Sequence, residues 1–295
     1  MPALERWLAR GDAGTLAAGS LHAILASQYG IADPVPYGAI SFAAERAPGP
    51  APNLRADPIH VEVGQASAAL HDASVLAITP QEAATLAAGL TRHFAELGLE
   101  FVAPSPGRWY VRVPAGELPA TTPLDEALRR GTASALPRGS GRIKWPAVLT
   151  EAQMFLASHE VNARREAEGK PAINSVWFWG GGALPAIPGR YAIVYAADAV
   201  ARGLAILSGA RADPVPAGHD GIDAVLERQS VLLVLDDAPS EALDTAWFVP
   251  LADALRRFDT VHLMLPRGRD TLVARVGRGA RWRWMRRSRP LAGHA

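Results

Sequence analysis

Residues 174–182 read NSVWFWGGG, two tryptophans around a phenylalanine and then three glycines. On a strand, Trp177 and Trp179 share one face and Phe178 takes the other. Buried rings with glycines that allow a close backbone approach would make this a core segment. Successive N–H groups at Gly180, Gly181 and Gly182 would instead cradle a phosphate or carboxylate. Packing accounts for the aromatics; the glycines stay open to either role. His159 and Asn162 fall in a turn between two helical stretches, where such side chains cap a helix or meet a ligand. Asp236 and Asp237 follow the apolar run VLLVL, at the C-terminal edge of an expected parallel strand, where α/β sites form. His219, Asp220 and Asp223 could join them; a solvated loop or a cap is the alternative. His60, His71 and His262 show no ligand spacing. From Arg267 to Arg289 there are nine arginines and one acid, Asp270, with Trp282 and Trp284 interleaved. That pattern suits an edge strand with one basic face, or a nucleic-acid contact through Arg281, Arg283, Arg286 and Arg287.

The elements that must position these residues are readable in part. Leu4, Trp7 and Leu8 mark one face of an N-terminal helix. Residues 45–56 are proline-rich and predict a linker or arm. HVEVG and SAALHD predict short strands. In ITPQEAATLAAGLTRHFAELG, Thr79 is the cap, Pro80 the first helical residue, Glu82 the partner in a capping box and Gly98 the stop. Leu86, Leu90, Phe94 and Leu97 would face the core. LEFVA and RWYVRVP around PSPG predict a hairpin. TASALPRGSGRIKW is a candidate boundary, with a helix from Thr150 and another through NARREAEG, closed by Gly169. Beyond the Trp–Gly stretch, strand-like and helix-like runs alternate through RYAIVYA, DAVARGLAILSG, SVLLVLD, SEALDTAWFVPLADALRRF and TVHLMLP. The expectation is an α/β fold, a mixed sheet flanked by helices. The division reads as an arm over 1–56, an α+β part over 57–135 and an α/β part with a basic tail over 136–295.

Composition excludes several classes. The 295 residues are 49% hydrophobic and 20% charged, with net charge +1 and no cysteine. Disulfides, thiolate metal sites and cysteine nucleophiles are out. The N-terminus lacks a secretory h-region, and the most apolar run, YAIVYAADAVARGLAILSGA, is broken by Asp198 and Arg202. A cytoplasmic protein without membrane partners is expected.

The run LTEAQMFLASHEVNARREAEGKPAINSVWFWGGG resembles a signature of the archaeal-type cofactor-independent phosphoglycerate mutases: helix, His-x-Val-Asn turn, basic helix, Asn-x-x-Trp-x-Trp-Gly-x-Gly. The likeness continues in order over residues 57–260, through ITPQEAATLAAGLTRHFAELGLEF, SPGRWYVRV, ATTPLDEALRR, AADAVARGLAILSGA and VPAG. It implies part of an alkaline-phosphatase-like architecture. It also implies ligand contacts at Arg108 or Arg112, His159, Asn162, Asn174 and Gly180–Gly182. In length and plan the chain further resembles the RpfE-type regulatory proteins of proteobacteria.

The departures bear on chemistry. The family uses a serine nucleophile and two divalent metals held by Asp and His. This chain has no Asp-Gly-x-x-Asp opening and no nucleophile loop. Where the family has Ala-Pro-Asp-Glu-Ala-Gly-His, the chain has Ala238, Pro239, Ser240, Glu241, Ala242, Leu243 and Asp244; LMLPRGRD replaces a late Asp-His pair. The expectation is a non-catalytic or regulatory protein with no assigned catalytic residue, metal or cofactor, binding a phosphorylated metabolite or a protein. The alternatives are a metal-dependent enzyme on phosphorylated metabolites, its site rebuilt from Asp220, Asp236 and Asp244, and a nucleic-acid-binding protein.

Overall fold

The structure, a computed structural model, describes all residues except 1, 46, 48–49, 64–67, 131–135, 140, 217–229, 236–240, 255–258, 278 and 280–295. In chain order the described elements begin with α1 (Pro2–Arg10), β1 (Asp12–Leu16), α2 (Leu21–Gln28) and α3 (Tyr37–Ala43). There follow β2 (Leu54–Val63), β3 (Ala68–His71), α4 (Ala73–Leu76), α5 (Pro80–His93), β4 (Glu100–Ser105) and β5 (Arg108–Arg112). Next come α6 (Leu124–Arg130), α7 (Trp145–Ala157), α8 (Glu160–Ala167), β6 (Ser175–Trp179), β7 (Ile193–Tyr195), α9 (Ala199–Leu207), β8 (Arg211–Asp213) and β9 (Val231–Leu233). A helical turn α10 (Glu241–Leu243) runs into a π-helical stretch, Asp244–Phe248, and then α11 (Val249–Ala254), before β10 (Thr260–Pro266) and β11 (Thr271–Gly277).

These elements form two compact units, Ala32–Pro185 and Met1–Ile31 with Ala186–Ala295. Residues 54–56 are the first of β2, and β1 pairs antiparallel with β11, which ties the N-terminal stretch to the C-terminal one. Ile143 and Trp145 close on the core of their unit: both are buried, and Trp145 Nε1 donates to the Glu117 carbonyl at 2.9 Å.

The 32–185 unit is an antiparallel five-stranded sheet, order β3-β2-β5-β4, with β6 also pairing β2. Its core gathers Leu86, Leu90 and Phe94 of the first long helix with Trp109, Val111, Trp145, Leu156 and Phe178. The capping box forms as the sequence predicts, with Thr79 and Glu82 in reciprocal bonds and Pro80 in the first turn. α5 ends at His93, and a 3-10 turn carries the chain to Gly98, whose φ of 68° is the left-handed stop. That turn rotates Leu97 off the helix face, so Leu97 is exposed rather than core. α7 starts at Trp145, five residues before the expected Thr150, because Pro146 is tolerated in a first turn.

The other unit holds an antiparallel sheet β1-β11-β10 and a parallel sheet β8-β7-β9. Trp7, Tyr195, Trp247 and Val276 pack in one cluster, Leu4, Leu8, Phe248 and Leu272 in another. The α/β class therefore holds, with three sheets among the described residues in place of one: antiparallel pairs join strands both near in the chain (β2–β3, β4–β5, β10–β11) and far apart (β1–β11, β2–β6), and α9 supplies the crossover from β7 to parallel β8.

Candidate functional site

The Trp–Gly segment lies on β6, whose five residues are all buried. β6 pairs with one edge of β2 and β5 with the other, so Arg55 stands opposite both Trp179 and Tyr110. Its guanidinium carbon lies 5.0 Å from the Tyr110 ring centre and 5.1 Å from that of Trp179. Two residues on, and on the same face, Asp57 accepts from Arg55 Nε at 3.0 Å and from Nη2 at 2.7 and 2.9 Å. Trp179 Nε1 donates to the second oxygen of Asp57 at 2.7 Å. α3 covers this face: Ser41 Oγ takes a bond from Arg55 Nη1 at 3.2 Å, Phe42 packs edge-on to Tyr110 and Tyr37 tilts against Trp179.

The network continues outward. Glu45, beyond α3, accepts from Tyr110 Oη at 2.8 Å and from Arg108 Nε at 2.6 Å. Burial would raise the Glu45 carboxyl, but the bond and charge of Arg108, with Tyr110, outweigh it and hold it below the usual carboxylate range. Burial pushes the Tyr110 phenol well up. Two guanidiniums thus meet two carboxylates, and the charges cancel. Arg108 is the one of these four whose side chain reaches solvent appreciably, at 40%.

The remaining sequence-predicted residues have defined places. Trp177 Nε1 donates to the Thr122 carbonyl at 2.9 Å, and both tryptophans are under 5% exposed, as the packing reading requires. Gly180 has φ 67°, its carbonyl accepts from Gly38 N at 2.8 Å, and a Cβ there would sit 2.6 Å from Tyr37 Cβ. A Cβ on Gly38 would in turn come within 2.8 Å of Leu54 backbone. Here the glycines let α3 cross the sheet closely; Gly181 and Gly182 face side-chain atoms of Leu54, Leu118 and Pro36. Arg112 donates to the Pro50 carbonyl at 2.8 Å and pairs with Glu100. His159 caps α8, its Nδ1 accepting from Val161 N at 3.1 Å. Asn162 is buried and clamps the Leu156 and Ile173 carbonyls and the Ile173 amide at 2.8–2.9 Å. Asn174 brackets Val61 through its N–H and carbonyl, at 2.7 and 2.9 Å. Arg165, on the basic helix, is 1% exposed and tied to Glu82 and to the Leu76 and Pro171 carbonyls.

In the other unit, Asp244 is 3% exposed at the start of the π-helical stretch. Its two oxygens accept from Leu4 N at 2.8 Å and Ala3 N at 2.9 Å, the orphan donors of α1. A carboxylate that accepts N–H bonds at a helix N-terminus caps that helix, and this is the role the structure shows for Asp244. Its companions Asp220 and Asp236 lie outside the described residues, as do Asp237, Arg281, Arg283, Arg286 and Arg287. Among the described residues no three His, Asp or Glu side chains converge to hold a metal, and no helix is long and apolar enough to cross a membrane.

The sequence reading missed the Arg55–Asp57 pair and Glu45. A signal existed: an Arg-x-Asp on one strand face, against apolar Leu54 and Ala56 on the other. Its burial depended on α3, which the sequence did not place.

No family model matches the chain. It is 30% identical over 108 residues to a 2,3-bisphosphoglycerate-independent phosphoglycerate mutase of Methanothrix thermoacetophila, covering 35% of this chain and 28% of the relative. To the enzyme of the same name from Methanosarcina acetivorans it is 26% identical over 142 residues, covering 42% and 36%. The match thus spans about a third of these relatives' own length. Among solved structures, the PH0037 protein of Pyrococcus horikoshii gives a TM-score of 0.52 at 16% identity, over 94% of this chain and 80% of that one. A cofactor-independent phosphoglycerate mutase of Thermoplasma acidophilum gives 0.45 at 16%, over 94% and 82%. The chain therefore shares a partial resemblance with archaeal cofactor-independent phosphoglycerate mutases.

Proposed function

We infer that this chain is a cytoplasmic, non-catalytic relative of those mutases, of the RpfE regulatory type. It uses the mutase-like framework to bind a phosphorylated metabolite or a protein partner. The observation that carries this reading is Asp244. It occupies the position where the resemblance places a metal-binding histidine, and each of its buried oxygens accepts a bond from the α1 backbone. At 3% exposed, with an α1 N–H at 2.8 Å on one oxygen and another at 2.9 Å on the other, this carboxylate is held by the helix end and shielded from a solvent-borne ion. Four positions earlier in the sequence, Ser240 brings a neutral hydroxyl where the resemblance has a carboxylate, a poor ligand for a hard cation.

The signature segment is kept for architecture. Asn162 ties α8 to the Ile173 carbonyl, Asn174 reaches Val61 of β2, Trp177 ties β6 to the Thr122 carbonyl and Trp179 ties β6 to Asp57 of β2. Arg108 is the residue through which the Glu45 network meets an outside anion. Equilibrium dialysis of the purified chain against 3-phosphoglycerate, comparing wild type with Arg108→Ala, tests the ligand half of this reading. Saturable binding weakened by the substitution is expected; binding unchanged by it would remove Arg108 from the account.

A further inference from the structure

The paired strands β2 and β3 carry a feature that neither the resemblance nor the proposed function uses. β2 and β3 pair antiparallel with His60 directly opposite His71, so both imidazoles leave the same face of the sheet. Their ring centres lie 5.9 Å apart. His60 Nδ1 is 2.8 Å from the Ala172 carbonyl, which only accepts, so Nδ1 carries the proton and donates. The neutral His60 ring then has its lone pair on Nε2. His71 Nε2 is 3.3 Å from the Glu62 carboxylate, which also accepts, so the neutral His71 ring has its lone pair on Nδ1.

Metal-binding histidines are oriented in this manner: one ring N–H donates to a carbonyl or carboxylate and the other nitrogen is left to the ion. Two metal–nitrogen bonds of about 2.0–2.1 Å at a tetrahedral angle would place the ring centres roughly 5 Å apart. Closing the observed spacing to that value needs a shift of about an ångström, within the reach of rotation of the two partly exposed side chains. An ordinary surface ion pair explains His71 with Glu62, but such pairs contribute little and leave the His60 tautomer as a coincidence.

We propose that His60 and His71 form a two-imidazole chelate for a borderline divalent ion of the zinc, nickel or copper class, with Glu62 and the Ala172 carbonyl orienting the rings and water completing the coordination. Carboxylate-preferring magnesium or manganese is not expected to compete there. The site staples β2 to β3. It does not depend on the mutase-like reading, since neither histidine belongs to the signature segment.

Calorimetric titration of nickel chloride, and separately of zinc chloride, into the full chain tests this. The expected result is one saturable site, lost or weakened at least tenfold in His60→Ala and in His71→Ala alike. Glu62→Gln, which acts only through His71, should weaken it by about 10–100-fold. Unchanged melting of the metal-free variants shows that the loss is not unfolding. Histidine-ring nitrogen spectra supply a second readout: the free chain should show His60 protonated on Nδ1 and His71 on Nε2. Full-strength binding in either single alanine variant, no saturable binding by the wild type, or the opposite tautomers would each overturn the proposal.

Discussion

Asp57→Asn changes one atom and leaves Arg55 ionised in a site where it is 6% exposed. Removing one partner of a buried pair leaves the other charge uncompensated, at a cost of about 3–5 kcal/mol. Denaturant unfolding should show a loss of that size, and a loss under 1 kcal/mol would mean that Tyr110 and Trp179 alone hold the guanidinium. Trp179→Ala should cost on the order of 3–5 kcal/mol for the lost burial, since it also strips Asp57 of a donor. His159 gives a pH-dependent case. Burial first, then the neighbouring Arg92 and Arg164, lower its pKa below the ordinary 6.5, while Glu160 works the other way. The neutral ring is the one that caps α8, because a protonated Nδ1 cannot accept from Val161 N. Its contribution is therefore complete above the unfolded value and lost as pH falls through the depressed folded value. His159→Asn keeps a cap without titrating, so its stability should be flatter over that acidic window; an identical pH profile would show that the cap bond contributes nothing.

At the scale of elements, the crossing of α3 over β2 and β6 depends on Gly38 and Gly180. Gly180→Ala meets both a left-handed φ and a Cβ contact at 2.6 Å. Backbone strain of about 1–2 kcal/mol and overpacking of about 1–3 kcal/mol should together melt the chain several degrees earlier. Gly181→Ala, facing the movable ends of Leu54 and Leu118, should cost much less. Equal losses at the two positions would overturn the crossing argument. The π-helical stretch has its own test. Asp244→Ala strands two α1 N–H groups and should cost on the order of 2 kcal/mol, whereas Asp244→Asn, which keeps one acceptor oxygen, should cost less. The local elements were legible because their signals are local: the α5 capping box, the β4–β5 hairpin around PSPG and the Gly169 stop all lie within a few residues. β1 and β11 were not, because DAGTL is a largely exposed strand that exists through pairing with residues 271–275. α3 lacks polar periodicity, so nothing in the sequence announced the lid over Arg55 and Asp57. His60 and His71 show no ligand spacing along the chain for the same reason; antiparallel register brings them opposite one another.

For the whole molecule, the structure gives the side chains of the signature segment intramolecular partners. Asn162 and His159 complete the turn that joins two helices, and Asn174 extends the pairing of β2. What the sequence could not convey was how Asp244 is spent, because its partners, Ala3 and Leu4, lie some 240 residues away. The central claim is that this framework carries no mutase chemistry. It is tested most directly by assaying interconversion of 3- and 2-phosphoglycerate by the full chain, with manganese and magnesium supplied. A His60→Ala, His71→Ala double variant run alongside keeps any hairpin-bound metal from clouding the result. No turnover above the uncatalysed background is the expected outcome in both proteins. Turnover near ordinary enzyme rates, roughly 1–1,000 per second, abolished by chelator and by Asp236→Ala, would contradict the account and assign the chain an active metallocentre.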